Sequence, residues 1–164
     1  MGDSTTPIPS LIRKMVGHHI PFQYDTKIRE KGVIHSNENG FIILVNPHNC
    51  KARVKKENGG YLVQENKCVL LSTVAHECGH YLTWCPKDFQ YVSEAKAQVA
   101  AIKKLCDLKY DTINSWLICE LFSWENSPVV ACRKAYRCID KDWIIKLKEL
   151  YYGINPTFDK GVRQ

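Results

Sequence analysis

Two histidines with three residues between them, the first followed directly by a glutamate, are the side chains here whose type and spacing can do chemistry: Ala75-His76-Glu77-Cys78-Gly79-His80. On an α-helix, positions i and i+4 share a face one turn apart, so His76 and His80 can close on a single metal ion. Neutral imidazole suits zinc, and Glu77 can reach a water on that ion without becoming a ligand. Zinc brings the pKa of such a water toward about 7, and Glu77 is then placed to take its proton and pass it to a leaving group. Gly79 removes a side chain beside the metal face, so another backbone or a substrate can approach closely. The competing reading is a helix with two histidines by accident, but an apolar flank makes unpartnered histidines there costly.

A catalytic zinc ion takes three protein ligands and keeps an open position. The expected third ligand is Glu120, on a helix predicted over Thr112 to Trp124. There Ile113, Trp116, Leu117, Leu121 and Trp124 make an apolar stripe with Glu120 inside it, and a carboxylate in such a setting needs a strong partner. The alternative is a carboxylate at the edge of the stripe, paired with a lysine or exposed. Glu125 is next in line, one position beyond the stripe, whereas Glu94 and Asp107 have more polar surroundings. One Zn2+ per chain is expected. A second donor to a developing oxyanion is also expected, with Tyr81, Tyr91, His18 and His19 unranked.

The elements that must position these residues follow from periodicity and turn residues. Leu71, Val74, Cys78, Leu82 and Cys85 recur at steps of three and four, predicting a helix from Asn66 to about Trp84 that Pro86 closes. Helices are also predicted over Ser10 to Val16, Val92 to Leu108, Thr112 to Trp124 and Lys141 to Tyr151. Gly32 to Ser36 and Phe41 to Val45 flank Asn37-Glu38-Asn39-Gly40 as a hairpin, and Ala52 to Lys55 with Tyr61 to Gln64 flank Asn58-Gly59-Gly60 as another. The four strands are expected to form one small antiparallel sheet; Phe41 to Val45, if at its edge beside the histidine helix, could align an extended substrate by main-chain hydrogen bonds. The predicted fold class is α+β, a small sheet packed on that helix with a helical C-terminal half. Residues 1–152 form one domain, and 153–164 are expected to be a flexible tail.

Composition bounds the function classes. A chain of 164 residues with 45% hydrophobic residues supports one core, and no run approaches the roughly 18 apolar residues a membrane span needs. No secretory signal opens the chain, so a cytoplasmic location with its eight cysteines reduced is expected; Cys78, Cys106 and Cys119 fall in apolar helical runs and are expected to be core. Gly2 and Thr6 meet the loose myristoylation pattern, but no basic cluster supplies a second membrane signal. The net charge of +6 is spread along the chain, with Lys51, Arg53, Lys55 and Lys56 as its one modest cluster. A weak, salt-dependent nucleic-acid contact is the partner class that cluster suggests, and a solvated sheet face explains it as well.

Leu71-Ser-Thr-Val-Ala-His-Glu-Cys-Gly-His80 resembles the active-site helix of gluzincin-like metallopeptidases, particularly the small intracellular ImmA/IrrE type and its phage-encoded relatives. The likeness extends to the preceding hairpin, Phe41-Ile-Ile-Leu-Val-Asn-Pro47, and to a later helix with Glu120-Leu-Phe-Ser-Trp124-Glu125. The resemblance implies a zincin-like fold, zinc on His76, His80 and Glu120, and hydrolysis of peptide bonds in a protein or peptide substrate with Glu77 as general base. A regulatory protein with an exposed linker is the kind of target it implies. The chain shows no helix-turn-helix extension of the kind often fused to that family. The alternative function is a non-catalytic, zinc-stabilised binding or regulatory module, with Cys132 or Cys138 as a further ligand. Such a site has no use for Glu77.

Overall fold

In a computed structural model of the chain, which describes residues 2–154, the histidine helix is the hub. This helix, α2 (Lys67–Leu82), is preceded by α1 (Ile8–Val16) and by five strands: β1 (Phe22–Tyr24), β2 (Gly32–Asn37), β3 (Gly40–Val45), β4 (Lys51–Lys55) and β5 (Tyr61–Glu65). It is followed by α3 (Gln90–Leu108), α4 (Asp111–Ser123), α5 (Val130–Arg137) and α6 (Lys141–Ile154). The class is α+β.

Asn66 starts α2: its side-chain oxygen accepts from the backbone N–H of Cys68 and Val69, a cap that stabilises a helix by about 1 kcal/mol. From Val69 to Gly79 nearly every position of α2 is buried, because the sheet, α1, α3 and α4 surround it. A helix apolar on all sides is a core element. Leu71, Val74 and Cys78 meet Leu11, Ile12, Ile43, Ile102, Leu105 and Leu121 in one continuous core. Leu82, expected on that apolar face, is instead 44% exposed beyond the core's edge.

The sheet differs from expectation. The Gly32–Asn37 and Gly40–Val45 hairpin forms, with Asn37 opposite Gly40 and Gly40 at φ +113°, a value glycine adopts without a Cβ clash. Its partner is not the second hairpin but β1, which runs parallel to β3 in the order β1-β3-β2. Thus Phe41 to Val45 lies in the central strand, and the edge strand against α2 is β2. β4 and β5 pair only with each other, as a separate ribbon.

Two further departures are short elements: β1 has three residues, and α5 has eight, three of them Arg or Lys, with only Ala135 buried. Cys78 is buried and Cys106 half-buried, as core positions, but Cys119 is exposed on the flank of α4; all eight cysteines are free thiols. Of the tail expected at 153–164, the first two residues continue α6, and 155–164 lie outside the described residues. No helix among the described residues is long and apolar enough to cross a membrane.

Candidate metal centre

Packing of α2 against α3 brings a third donor to the histidine pair. Gly79 makes this possible: a Cβ there would overlap the backbone carbonyl of Ala97, so the two helices cross at backbone contact. The close crossing places Glu94, one turn before Ala97 on α3, over His76 and His80. One ligand atom from each of His76, His80 and Glu94 lies within 4.8 Å of the others, and among the described residues no other group of three such donors forms. This group can bind a metal ion.

The ring nitrogens are sorted by their partners. His76 Nε2 is 2.7 Å and His80 Nε2 3.3 Å from the same oxygen, Glu94 Oε2. Their Nδ1 atoms have other partners on α3, with Gln98 Oε1 2.5 Å from His76 and Ser93 Oγ 3.1 Å from His80. The Nδ1–H of His76 therefore has an acceptor, which leaves Nε2 as the metal-facing nitrogen, the usual way a protein fixes a ligand's tautomer. Gln98 is fully buried and is itself held, because its Nε2 donates to the Leu117 carbonyl at 2.9 Å.

Glu120 does not join the group. Its side chain, 37% exposed, pairs with Lys31 Nζ at 3.3 Å, and its other oxygen accepts from Gln98 Nε2 at 3.4 Å. The alternative reading of a lysine-paired carboxylate at the edge of the stripe therefore describes it, and Glu94 stands where Glu120 was expected. The stripe is rotated from its expected centre: Asn114, Ile118 and Phe122 are buried, while Trp116 and Glu120 lie on the flank. Glu125, next in line, is 49% exposed near Lys148, and Asp107 is exposed on α3. Cys132 and Cys138 are outside the group as well.

Electrostatics tie the cluster together. Burial opposes charge on His76, but its hydrogen bond to Glu94 and the charges of Glu77, Glu94 and Glu120 outweigh that and push its pKa up to about 10. Burial likewise opposes charge on Glu94, yet hydrogen bonds from His76 and His80, and their charges, hold it well below the usual carboxylate range. Without a metal, a proton on His76 thus satisfies Glu94. Glu77 is buried beside them, and burial raises its pKa against the opposing charges of His76 and His80 and a hydrogen bond from the Ile34 backbone on β2.

A cavity of about 250 Å³ opens beside the cluster, lined by His80 and Glu94 together with Trp84, Cys85, Pro86 and Ser93. A larger one of about 770 Å³ lies on another face of α3, toward Trp143, away from these donors. Of the candidate oxyanion donors, Tyr81 Oη is 2.8 Å from His18 Nε2 and its ring packs edge-on against Phe41. Tyr91 stacks on Phe89, and His19 is exposed.

Sequence reasoning ranked Glu94 below Glu120 and Glu125 and did not single out Gln98 or Ser93. A usable signal was present: Glu94 and Gln98 are four apart, hence on one face of α3, as His76 and His80 are on α2. The chain matches no family model, no curated protein and no solved structure.

Proposed function

We propose that this chain is a zinc metallopeptidase of zincin-like architecture, with His76, His80 and Glu94 holding the ion and Glu77 as general base. The observation that carries the reading is the convergence of two imidazole Nε2 atoms on one Glu94 oxygen, with a second, buried carboxylate alongside. The donor set fits the ion: two histidines and a glutamate form one of the established three-ligand sets of catalytic zinc, and they leave a coordination position open. Bound there, zinc supplies a Lewis acid and makes water nucleophilic near neutral pH.

The chain's own residues do the rest. Gln98 and Ser93 hold the imidazoles in orientation. Glu77 takes a proton from the attacking water and returns it to the departing amine, and a carboxylate whose pKa burial raises is better matched to that exchange than an exposed one. Its hydrogen bond from Ile34 couples Glu77 to β2, whose outer edge pairs with no strand among the described residues. An extended peptide adding to that edge would pass beside Glu77, with main-chain hydrogen bonds setting its register. This favours flexible segments as substrates.

The test is metal content and cleavage of an unfolded polypeptide by wild type, His80→Ala and Glu77→Gln proteins. About one zinc per chain is expected in wild type and Glu77→Gln, with cleavage lost by about 10²-fold or more in Glu77→Gln. His80→Ala is expected to lose both. Absence of zinc from wild type after reconstitution overturns the reading, and zinc without cleavage transfers it to a zinc-stabilised binding module.

A further inference from the structure

The β4–β5 ribbon belongs to neither the three-stranded sheet nor the metal centre, and its two faces differ. Side chains alternate across a strand, so Ala52, Val54, Leu62 and Gln64 share one face and Lys51, Arg53, Lys55, Tyr61 and Val63 share the other. Ala52 packs against the core, so its end of that face is turned toward the body of the molecule, while Val54 and Leu62 farther along the ribbon stay exposed. The opposite face is therefore the outward one, and it is basic. Every residue of β5 is exposed, including Tyr61 at 58% and Val63 at 57%. Two strands alone are marginal in water, so a bare ribbon with exposed apolar side chains calls for a partner.

Charge says which kind. Lys51, Arg53 and Lys55 line the outward face in sequence and Lys56 opens the turn. The guanidinium of Arg53 sits over the Tyr61 ring, 4.4 Å from its centroid. Glu65, the acid on that face, is drawn aside by His48 Nδ1 at 3.1 Å. A row of cations repeating every second residue suits a regular polyanion. Strands about 4.8 Å apart, with their side chains, make a body about 10 Å across, which enters the roughly 12 Å major groove of B-form DNA. The narrow major groove of an A-form RNA helix does not admit it. Arg53 covers the face of Tyr61 that an unpaired base would stack on, which favours a duplex over a single strand.

We propose that the β4–β5 ribbon is a docking arm for duplex DNA, gripping phosphates through Lys51, Arg53, Lys55 and Lys56 without reading sequence. This does not depend on the metal centre. It is tested by fluorescence anisotropy of a labelled duplex of about 20 base pairs, titrated with the full chain at several salt concentrations. Two variants with the same loss of charge are compared: Lys51→Gln/Arg53→Gln/Lys55→Gln/Lys56→Gln in the ribbon, and Lys87→Gln/Lys103→Gln/Lys141→Gln/Lys146→Gln elsewhere. All eight positions are exposed, and circular dichroism checks that both variants fold.

For four phosphate contacts, log K is expected to fall with log salt at a slope of about −3 to −4, with micromolar binding at low salt. The ribbon variant is expected to bind at least about tenfold more weakly with a slope reduced by about 3, and the control to change less than about threefold. No binding at low salt, equal loss in the two variants, or tighter binding of a single strand of equal charge overturns the proposal.

Discussion

Removing the Glu94 carboxylate takes away the oxygen on which both imidazoles converge, whereas removing that of Glu120 takes away only a partner of Lys31 and Gln98. Glu94→Gln is therefore expected to lose stoichiometric metal, and Glu120→Gln to keep it, as read by metal analysis after dialysis. The reverse pattern would return the third ligand to Glu120. Gln98→Leu, which leaves His76 Nδ1 without its acceptor, should weaken metal affinity about 10- to 100-fold in competition with a chromogenic chelator. The meeting of His76 with His80, and the burial of Glu77 beside them, were legible because their spacing lies within one helix. Glu94 was not, because polar neighbours such as Ser93 and Lys96 describe its own helix and say nothing of what α2 brings to it. A stripe read from α4 alone likewise fails to show which flank Glu120 takes.

The helix crossing that assembles the site depends on a missing methyl group. In the middle of a helix, Gly→Ala ordinarily stabilises by about 1 kcal/mol. At Gly79 the new Cβ would overlap the Ala97 carbonyl, which is backbone and cannot rotate away. Overpacking of this kind costs about 1–3 kcal/mol, so the second effect wins. Gly79→Ala is expected to lower the melting temperature by several degrees and to weaken metal binding as α3 is displaced; a raised melting temperature would refute the close crossing. A second element-level test concerns α4, whose start is held from outside: the Ile113 backbone N–H donates to the buried Asp3 carboxylate at 2.7 Å. Asp3→Ala leaves that buried donor unpaired, although Asp111 still places a negative charge in the first turn of α4, an expected loss of about 1–3 kcal/mol by denaturant unfolding. Long helices were readable to within a few residues, since apolar steps of three and four run through them. β1 was not, because three residues are too few to show alternation and its partner, β3, is not the next strand along the chain. The β4–β5 hairpin was readable as a hairpin, but nothing local tells a strand whether it joins a sheet.

For the molecule as a whole, one core joins the sheet to the helical half, and the α+β class followed from the order of its elements. The charge cluster inside that fold makes stability depend on both metal and pH, in opposite senses. In the metal-free protein His76 has a pKa of about 10 against an ordinary 6.5, so its contribution is complete below pH 6.5 and is lost as pH rises toward 10. Glu94, with its pKa lowered, contributes above its ordinary 4.5 and loses that contribution only as pH falls below it. Together the pair supports the metal-free fold most fully between pH 4.5 and 6.5. Metal needs the neutral imidazole, so at pH 6 an ion must displace the His76 proton, whereas near pH 9 that cost is much smaller. The gap in melting temperature between zinc-loaded and metal-free protein is therefore expected to widen from pH 6 to pH 9. Binding at pH 7.5 should release about one proton per ion from His76, in addition to the fraction that the zinc-bound water gives up, measured by calorimetry in two buffers of different ionisation enthalpy. A gap that stays flat or narrows with rising pH, or binding without proton release, would mean that the ion does not take the place of the His76 proton.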